Sequence, residues 1–126
     1  MNWTGKTILI AEDEDSNYLY LEAVLMKTGA RLLWARNGQE AVNLCKENPD
    51  VTLVLMDLQM PHLNGYEARK EIKNIFPHII QVAQTAFAMA DDEKRAMDAG
   101  FDAYISKPIR KNNLLALVEQ FLGSGE

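Results

Sequence analysis

Short apolar runs alternate with longer amphipathic segments along the whole chain. An apolar run of four to eight residues bounded by turn residues is typical of a buried strand. Five such runs are present: Thr7–Ala11, Ala30–Ala35, Thr52–Asp57, Ile79–Thr85 and Ala103–Ser106. Amphipathic segments at about 16–28, 37–48, 64–74 and 88–99, and a last one after 110, predict helices. This strict alternation predicts an α/β fold with a parallel sheet and helices on both faces.

Local signals mark several ends of these elements and the places of individual strands. Asn37 followed by Glu40, and Asn64 followed by Glu67, are capping patterns that open a helix. Gly29 stands where the first helix needs a C-terminal cap. The first and third runs are the most continuously apolar and belong in the middle of the sheet, whereas a charged residue in the second favours an edge.

Composition bounds the class of protein. The chain has 126 residues, 48% of them apolar and 25% charged, which predicts one globular domain with its own core. Its net charge of −5 argues against direct binding of nucleic acid.

The single cysteine, Cys45, excludes an internal disulfide and favours a reducing compartment. Apolar neighbours at helical spacing indicate that its thiol is packed rather than reactive. No apolar run is long enough to span a membrane, and the N-terminus lacks a signal pattern. We therefore expect a cytoplasmic domain without membrane contact.

Polar groups follow four of the five predicted strands. Glu12 and Asp13 follow the first, Asp57 ends the third, Thr85 ends the fourth, and Lys107 with Pro108 follows the fifth. Ligands of open parallel sheets bind beyond the carboxyl ends of the strands. We expect these groups to converge at one edge.

The charges predict what such a site binds. Two carboxylates in close contact repel by roughly 4 kcal/mol at an effective dielectric constant near 20, and one lysine cannot offset three of them. A hard divalent cation can, and Mg²⁺ prefers carboxylates, waters and phosphate oxygens. A phosphoryl group could then be held by the cation, Lys107 and Thr85, with Asp57 as its covalent acceptor.

The residues that follow the predicted strands resemble the motifs of a known family. The acidic pair, the Leu-Met-Asp57-Leu-Gln-Met-Pro stretch, Thr85-Ala86 and Lys107-Pro108-Ile109 resemble the response-regulator receiver domain of two-component signalling. The resemblance covers about residues 6–122, and the sequence around Asp57 and Asn64 is most similar to that of receivers of hybrid sensor kinases.

The resemblance implies a role for each site residue. Asp57 would accept a phosphoryl group from a phosphohistidine, with Lys107 paired to the acyl phosphate in front of a cis peptide bond. Thr85 would turn its hydroxyl to a phosphoryl oxygen, and Tyr104 would swing inward as Thr85 moves. The Mg²⁺ ligands would be Asp13, Asp57 and the backbone carbonyl of Gln59, with Glu12 acting through water.

The resemblance also implies a fold and partners. The fold would be flavodoxin-like, with strand order 2-1-3-4-5, in a single receiver domain spanning 1–126 with a short tail at 123–126. The partner would be a histidine kinase or a histidine phosphotransfer domain. Dimerisation would use the face of the fourth helix, fifth strand and fifth helix. We expect either a stand-alone regulator or part of a hybrid sensor kinase.

Two alternatives stay open at the level of sequence. One is a phosphatase or phosphotransferase with an aspartyl-phosphate intermediate, although the dehalogenase type has a second aspartate where this chain has Gln59. The other is a pseudo-receiver or a flavin binder, which the complete acidic set and the absence of a Gly-rich loop disfavour. The apolar run Ala86–Ala90 is either ordinary packing or a partner surface.

Overall fold

In the part of the chain that the structure describes, five strands alternate with five α-helices. The computed structural model describes residues 2–58, 64–85 and 90–123. The elements are β1 Thr7–Ala11, α1 Asp15–Leu25, a 3₁₀ turn Met26–Thr28, β2 Arg31–Ala35, α2 Gly38–Glu47, β3 Leu53–Asp57, α3 Gly65–Ile75, β4 Ile80–Thr85, α4 Ala90–Asp98, β5 Ala103–Ser106 and α5 Lys111–Leu122.

All five strands pair in parallel in the order β2-β1-β3-β4-β5. One row of the register runs from Trp34 through Ile10 and Leu55 to Val82. The predicted strand order is confirmed. The strand with the exposed Arg31 lies at an edge, and the two most apolar strands lie inside, because a central strand of a parallel sheet is covered on both faces.

Helices cover both faces of the sheet and bury two apolar clusters. Helices α2, α3 and α4 pack on one face around Cys45, Ile72 and Ala96, together with Leu9 and Val54 of the sheet. On the other face α1 and α5 contribute residues that include Leu21, Leu25, Leu114 and Val118. Each fully buried side chain of this size stabilises the fold by about 1.5–3 kcal/mol.

The predicted helix signals are confirmed at the ends where they occur. The side chain of Asn37 accepts a hydrogen bond from the Glu40 amide at 2.8 Å, and Asn64 accepts one from Glu67 at 3.0 Å. Gly29 has φ +85°, the left-handed conformation expected of a C-terminal cap. The caps at Asn37 and Asn64 fix where α2 and α3 begin, so they set the lengths of the loops that lead into these helices.

The first helix differs from its predicted bounds. It begins at Asp15, and its last turn is 3₁₀ rather than α-helical. The hydroxyl of Thr28 donates to the Leu25 carbonyl at 2.6 Å, which tightens this turn. The predicted apolar stripe, which includes Thr28, is buried all the same.

Two side chains outside the site are buried, and for Cys45 this confirms the prediction of a packed thiol. Cys45 is fully buried, and burial raises the pKa of its thiol to about 11, so the reactive thiolate is suppressed. Trp3 is also buried, and its indole N–H donates to the Gly123 carbonyl at 2.8 Å. No helix within the described ranges is long and apolar enough to cross a membrane.

Candidate functional site

The carboxyl ends of the strands bring the predicted groups together. Asp57 is the last residue of β3, and its Cα pairs in the sheet register with Gln84, directly before Thr85. Glu12 follows β1 and is held in the ladder by its amide, which donates to the Ala35 carbonyl at 2.9 Å. Sequence order alone placed these residues at strand ends, and the parallel register places the ends side by side.

Three carboxylates form one cluster at this edge. One oxygen from each of Glu12, Asp13 and Asp57 lies within 4.8 Å of the other two. Glu12 is fully buried and Asp57 is only 4% exposed, whereas Asp13 faces solvent. Burying two carboxylates against each other is costly unless a cation or a proton compensates them.

Lys107 supplies one compensating charge. Its ammonium Nζ lies 2.9 Å from Asp57 Oδ2 and 3.3 Å from Glu12 Oε1. Partial burial lowers the pKa of Lys107, but Asp57 and Glu12 outweigh that effect and raise the pKa overall, so the side chain stays charged. The Lys107–Pro108 peptide bond is cis, and the Lys107 amide donates to the Thr85 carbonyl at 2.9 Å. The lysine therefore reaches the acids from a backbone anchored on β4.

A proton on Glu12 would further reduce the repulsion between the buried carboxylates. Burial, followed by the hydrogen bond to Asp57 and the charge of Asp57, raises the pKa of Glu12 from 4.5 to about 8. Lys107 acts in the opposite direction but does not prevent the rise. The Glu12 carboxyl therefore holds a proton more readily than an exposed glutamate does, and a bound cation would compete with that proton.

This pKa predicts how stability depends on pH. A carboxyl whose pKa is raised by folding binds more protons in the folded state, so its contribution declines as pH rises from about 4.5 towards about 8. In EDTA, the free energy of unfolding should fall over this interval by an amount on the order of a few kcal/mol. Urea unfolding of the parent chain and of Glu12→Gln, at matched pH values, measures it. Parallel profiles for the two chains would contradict the assignment to Glu12.

Thr85 and Tyr104 lie at different depths beside the cluster. Thr85 is 1% exposed, and its hydroxyl donates to Ser106 Oγ at 3.2 Å. Tyr104 is 36% exposed, and its hydroxyl donates to Glu93 Oε2 on α4 at 3.0 Å. The tyrosine thus points outward in this structure and links β5 to α4.

Several sequence predictions fall outside the described residues. These are the backbone carbonyl of Gln59, the apolar run before Ala90 and the chain end beyond Gly123. For Gln59 the sequence remains the only guide.

The structure adds two residues that the sequence analysis did not single out. Gln84 is fully buried, and neither its amide nitrogen nor its amide oxygen has a hydrogen-bond partner among the described residues. It lines a cleft of about 310 Å³, together with Glu12, Tyr20 and Lys107. The signal in the sequence was a pair of glutamines, Gln81 and Gln84, in a short strand whose other residues before Thr85 are apolar, since glutamine is unusual at buried positions.

Gly65 is the second addition. It opens α3, and a Cβ at this position would lie 2.6 Å from the Asp57 carbonyl oxygen and 2.9 Å from the Leu58 Cα. Only a residue without a side chain lets the start of α3 pack directly on the backbone that carries Asp57.

Replacing Gly65 with alanine should therefore disturb stability and site together. Because the contact is with backbone atoms, relief requires that α3 or the Asp57 segment shift, at a cost of about 1–3 kcal/mol. Asn64→Ala is the control, since loss of that cap costs about 1 kcal/mol without pushing on Asp57. Urea unfolding and calorimetric titration with Mg²⁺ should show both variants destabilised and only Gly65→Ala weakened in metal binding. Equal Mg²⁺ affinities would contradict this account.

The chemistry of the donors fits a hard cation. All three charged ligands are carboxylates, and Mg²⁺ is bound by oxygen. Glu12 Oε1 is buried, and its neighbour among the described residues is the Lys107 ammonium at 3.3 Å. A carboxylate oxygen accepts more than one hydrogen bond, so this atom can also accept one from a metal-bound water. The cluster can hold a divalent cation.

A parallel sheet of this order with an acidic cluster, a lysine and a hydroxyl at its carboxyl edge defines a phosphoacceptor class of domain. The family model of the response regulator receiver domain matches residues 8–119. The chain belongs to this family and is a receiver domain of two-component signalling.

The similarity extends to curated relatives and to solved structures. The chain is 38% identical over 121 residues to the polar-differentiation response regulator DivK of Brucella anthropi, covering 94% of this chain and 97% of the relative. Among solved structures, it is similar to a chain from the co-crystal structure of the Saccharomyces cerevisiae histidine phosphotransfer protein Ypd1 and the receiver domain of Ssk1. The TM-score is 0.87 and the identity 32%, and the match covers 93% of this chain and 88% of that chain.

A second structure bears on the cation. The receiver domain of a sensor histidine kinase from Pseudomonas aeruginosa PAO1 has a TM-score of 0.85 and 30% identity, over 94% of this chain and 98% of that one. That structure contains a magnesium ion coordinated in its active-site cleft.

Proposed function

We propose that Asp57 accepts a phosphoryl group from a phosphohistidine on a partner protein. The observation that carries the proposal is the placement of Asp57 at the end of a buried central strand, with Oδ2 2.9 Å from the Lys107 ammonium. A rigid strand holds the nucleophile, and the adjacent ammonium is placed to offset the negative charge of an incoming phosphoryl group.

The transfer needs one bond formed and one broken. A carboxylate oxygen of Asp57 attacks phosphorus while the bond between phosphorus and the histidine nitrogen breaks. The imidazole leaves with the electron pair of the broken bond, and a proton taken up from solvent makes the ring neutral. Lys107 offsets the charge of the phosphoryl oxygens, and the Thr85 hydroxyl donates to one of them once it turns from Ser106.

Mg²⁺ is the cation that this proposal places in the acidic cluster. Asp13, Asp57 and the backbone carbonyl of Gln59 would hold it directly, and Glu12 would hold it through a water. Bound there, the ion would neutralise charge on the phosphoryl oxygens. The release of a proton from Glu12 on binding follows from its raised pKa.

Phosphorylation would be transmitted by Thr85 and Tyr104. Each makes one hydrogen bond that the switch would exchange, Thr85 to Ser106 and Tyr104 to Glu93. Movement of Tyr104 from its outward position would change the surface formed by α4, β5 and α5, and this is the surface proposed for output and dimerisation.

The proposed phosphodonor is a histidine kinase or a histidine phosphotransfer domain. Support comes from the similarity to a chain of the co-crystal structure with Ypd1 and from Tyr20 on α1, which lines the cleft and is 42% exposed. Apolar side chains exposed beside a charged site are typical of a protein-binding surface. The net charge of −5 disfavours direct nucleic-acid contact.

Incubation with acetyl phosphate and Mg²⁺, followed by intact mass measurement, tests the proposal. We expect an acid-stable, alkali-labile phosphate adduct, and we expect EDTA to suppress it. A chain that forms no adduct with small phosphodonors or with a phosphohistidine protein would contradict the proposal. The hydrolytic and pseudo-receiver alternatives are not favoured, since the family assignment and the complete acidic set both agree with a phosphoacceptor.

A further inference from the structure

Both peptide units of Glu12 are held from the neighbouring strand, the one before it through its N–H and the one that joins it to Asp13 through its carbonyl. The Glu12 amide donates to Ala35 at 2.9 Å, and the Glu12 carbonyl accepts a hydrogen bond from the indole N–H of Trp34 at 2.8 Å. A peptide unit is planar, so a contact that fixes the Glu12 carbonyl also fixes the orientation in which the chain enters Asp13. One side chain of β2 thereby constrains the peptide that joins the acidic pair.

The indole itself is held by two stacking contacts. The ring of Tyr18 on α1 stacks on Trp34 with centroids 3.9 Å apart and an angle of 3° between planes. The guanidinium carbon of Arg36 lies 3.9 Å from the indole centroid. Arg36 Nη1 also contacts Asp15 Oδ1 at 2.8 Å, at the first residue of α1. Trp34 is therefore fixed between the elements that flank the acidic loop.

We propose that Trp34 is a positioning residue for the cation site, since its indole N–H holds the Glu12–Asp13 peptide in the orientation that ligation requires. The inference rests on the proposed function, because it concerns the affinity of the acidic cluster for Mg²⁺. Trp34 would not touch the ion. It would lower the cost of ordering two ligands when the ion binds, which is how preorganisation raises affinity.

The chain offers a matched control in its other tryptophan. Trp3 also donates its indole N–H to a backbone carbonyl at 2.8 Å, but its acceptor is Gly123, at the end of α5. Trp3→Phe and Trp34→Phe each remove one such bond, and both should lower the free energy of unfolding. A loss of Mg²⁺ affinity confined to Trp34→Phe therefore separates positioning from general stability.

A second variant isolates the N–H group. In the Trp3→Phe chain, Trp34 is the single remaining tryptophan, so 3-benzothienylalanine can be incorporated at that position alone. Its ring keeps the shape that stacks on Tyr18 and Arg36, but sulfur replaces the N–H donor. This variant tests the hydrogen bond even if the smaller phenylalanine fails to fold.

Calorimetric titration with Mg²⁺ and urea unfolding in EDTA are measured on all four chains. We expect the Mg²⁺ dissociation constant to rise about threefold to tenfold for Trp34→Phe and for the benzothienyl chain, and to stay unchanged for Trp3→Phe. Unchanged affinity in the benzothienyl chain, or an equal loss in Trp3→Phe, would overturn the inference. If the parent chain itself bound no Mg²⁺, the proposed function and the inference about Trp34 would both fail. If the parent chain bound Mg²⁺ and the benzothienyl chain bound it equally well, only the inference about Trp34 would fail.

Discussion

Replacing Asp57 with asparagine is expected to abolish phosphate uptake. Asparagine keeps the shape of the side chain but has no carboxylate oxygen with which to form an acyl phosphate. The substitution also leaves Lys107 and Glu12 in place, and Asp57 is buried at the end of β3, so the fold should persist. Intact mass after incubation with acetyl phosphate and Mg²⁺ should show the unmodified chain only, at the level of a donor-free blank.

Asp50→Asn is the control for this variant. Asp50 lies before the opposite end of β3, and its side chain is 68% exposed, so the change removes a carboxylate without touching the site. This control should take up phosphate at the rate of the parent chain. An adduct of undiminished size on Asp57→Asn would mean that another residue accepts the phosphoryl group.

Replacing Lys107 with alanine is expected to separate phosphoryl chemistry from cation binding. The ammonium lies against Asp57 and Glu12, where it would stabilise the phosphoryl oxygens but repel a second cation. Loss of one such electrostatic contact slows a reaction by about a hundredfold or more. We expect that decrease in the rate of uptake from acetyl phosphate and a loss of signalling, with Mg²⁺ affinity retained or increased.

Lys111→Ala provides the comparison. Lys111 carries the same charge, is exposed on the first turn of α5 and, among the described residues, forms no ion pair with Glu12 or Asp57. Initial rates from intact mass and Mg²⁺ affinities from calorimetry should be those of the parent chain. A large loss of Mg²⁺ binding in Lys107→Ala would show that the lysine organises the cation site rather than the phosphoryl group.

Much of the fold was predictable because buried helices and strands have characteristic patterns of apolar residues. The continuous apolar character of Leu53–Met56 indicated a strand covered on both faces, and the charge on Arg31 indicated an edge. Caps were readable because Asn37 and Asn64 act on amides only three residues away. The 3₁₀ turn before Gly29 was not readable, since the Thr28 hydroxyl bond that tightens it has no distinct sequence pattern.

The acidic residues, the threonine and the lysine were predictable as a set, because parallel strands bring their carboxyl ends to one edge whatever the loops do. Gln84 and Gly65 were not predictable in the same way. The importance of Gly65 depends on a 2.6 Å approach between its missing Cβ and the Asp57 carbonyl oxygen, a distance set by how α3 packs on β3. Such contacts join residues whose spacing along the chain carries no signal.

The sequence by itself determined the order of the elements and which chemical groups stand at the strand ends, because both follow from hydrophobic periodicity and chain direction. Only the tertiary structure decided the raised pKa of Glu12 and the hydrogen bond from the Trp34 indole to the Glu12 carbonyl. The physical reason is that a pKa depends on desolvation and on charges across strands, and a hydrogen bond depends on distances of a few tenths of an ångström. Those quantities exist only once the sheet and its helices have packed.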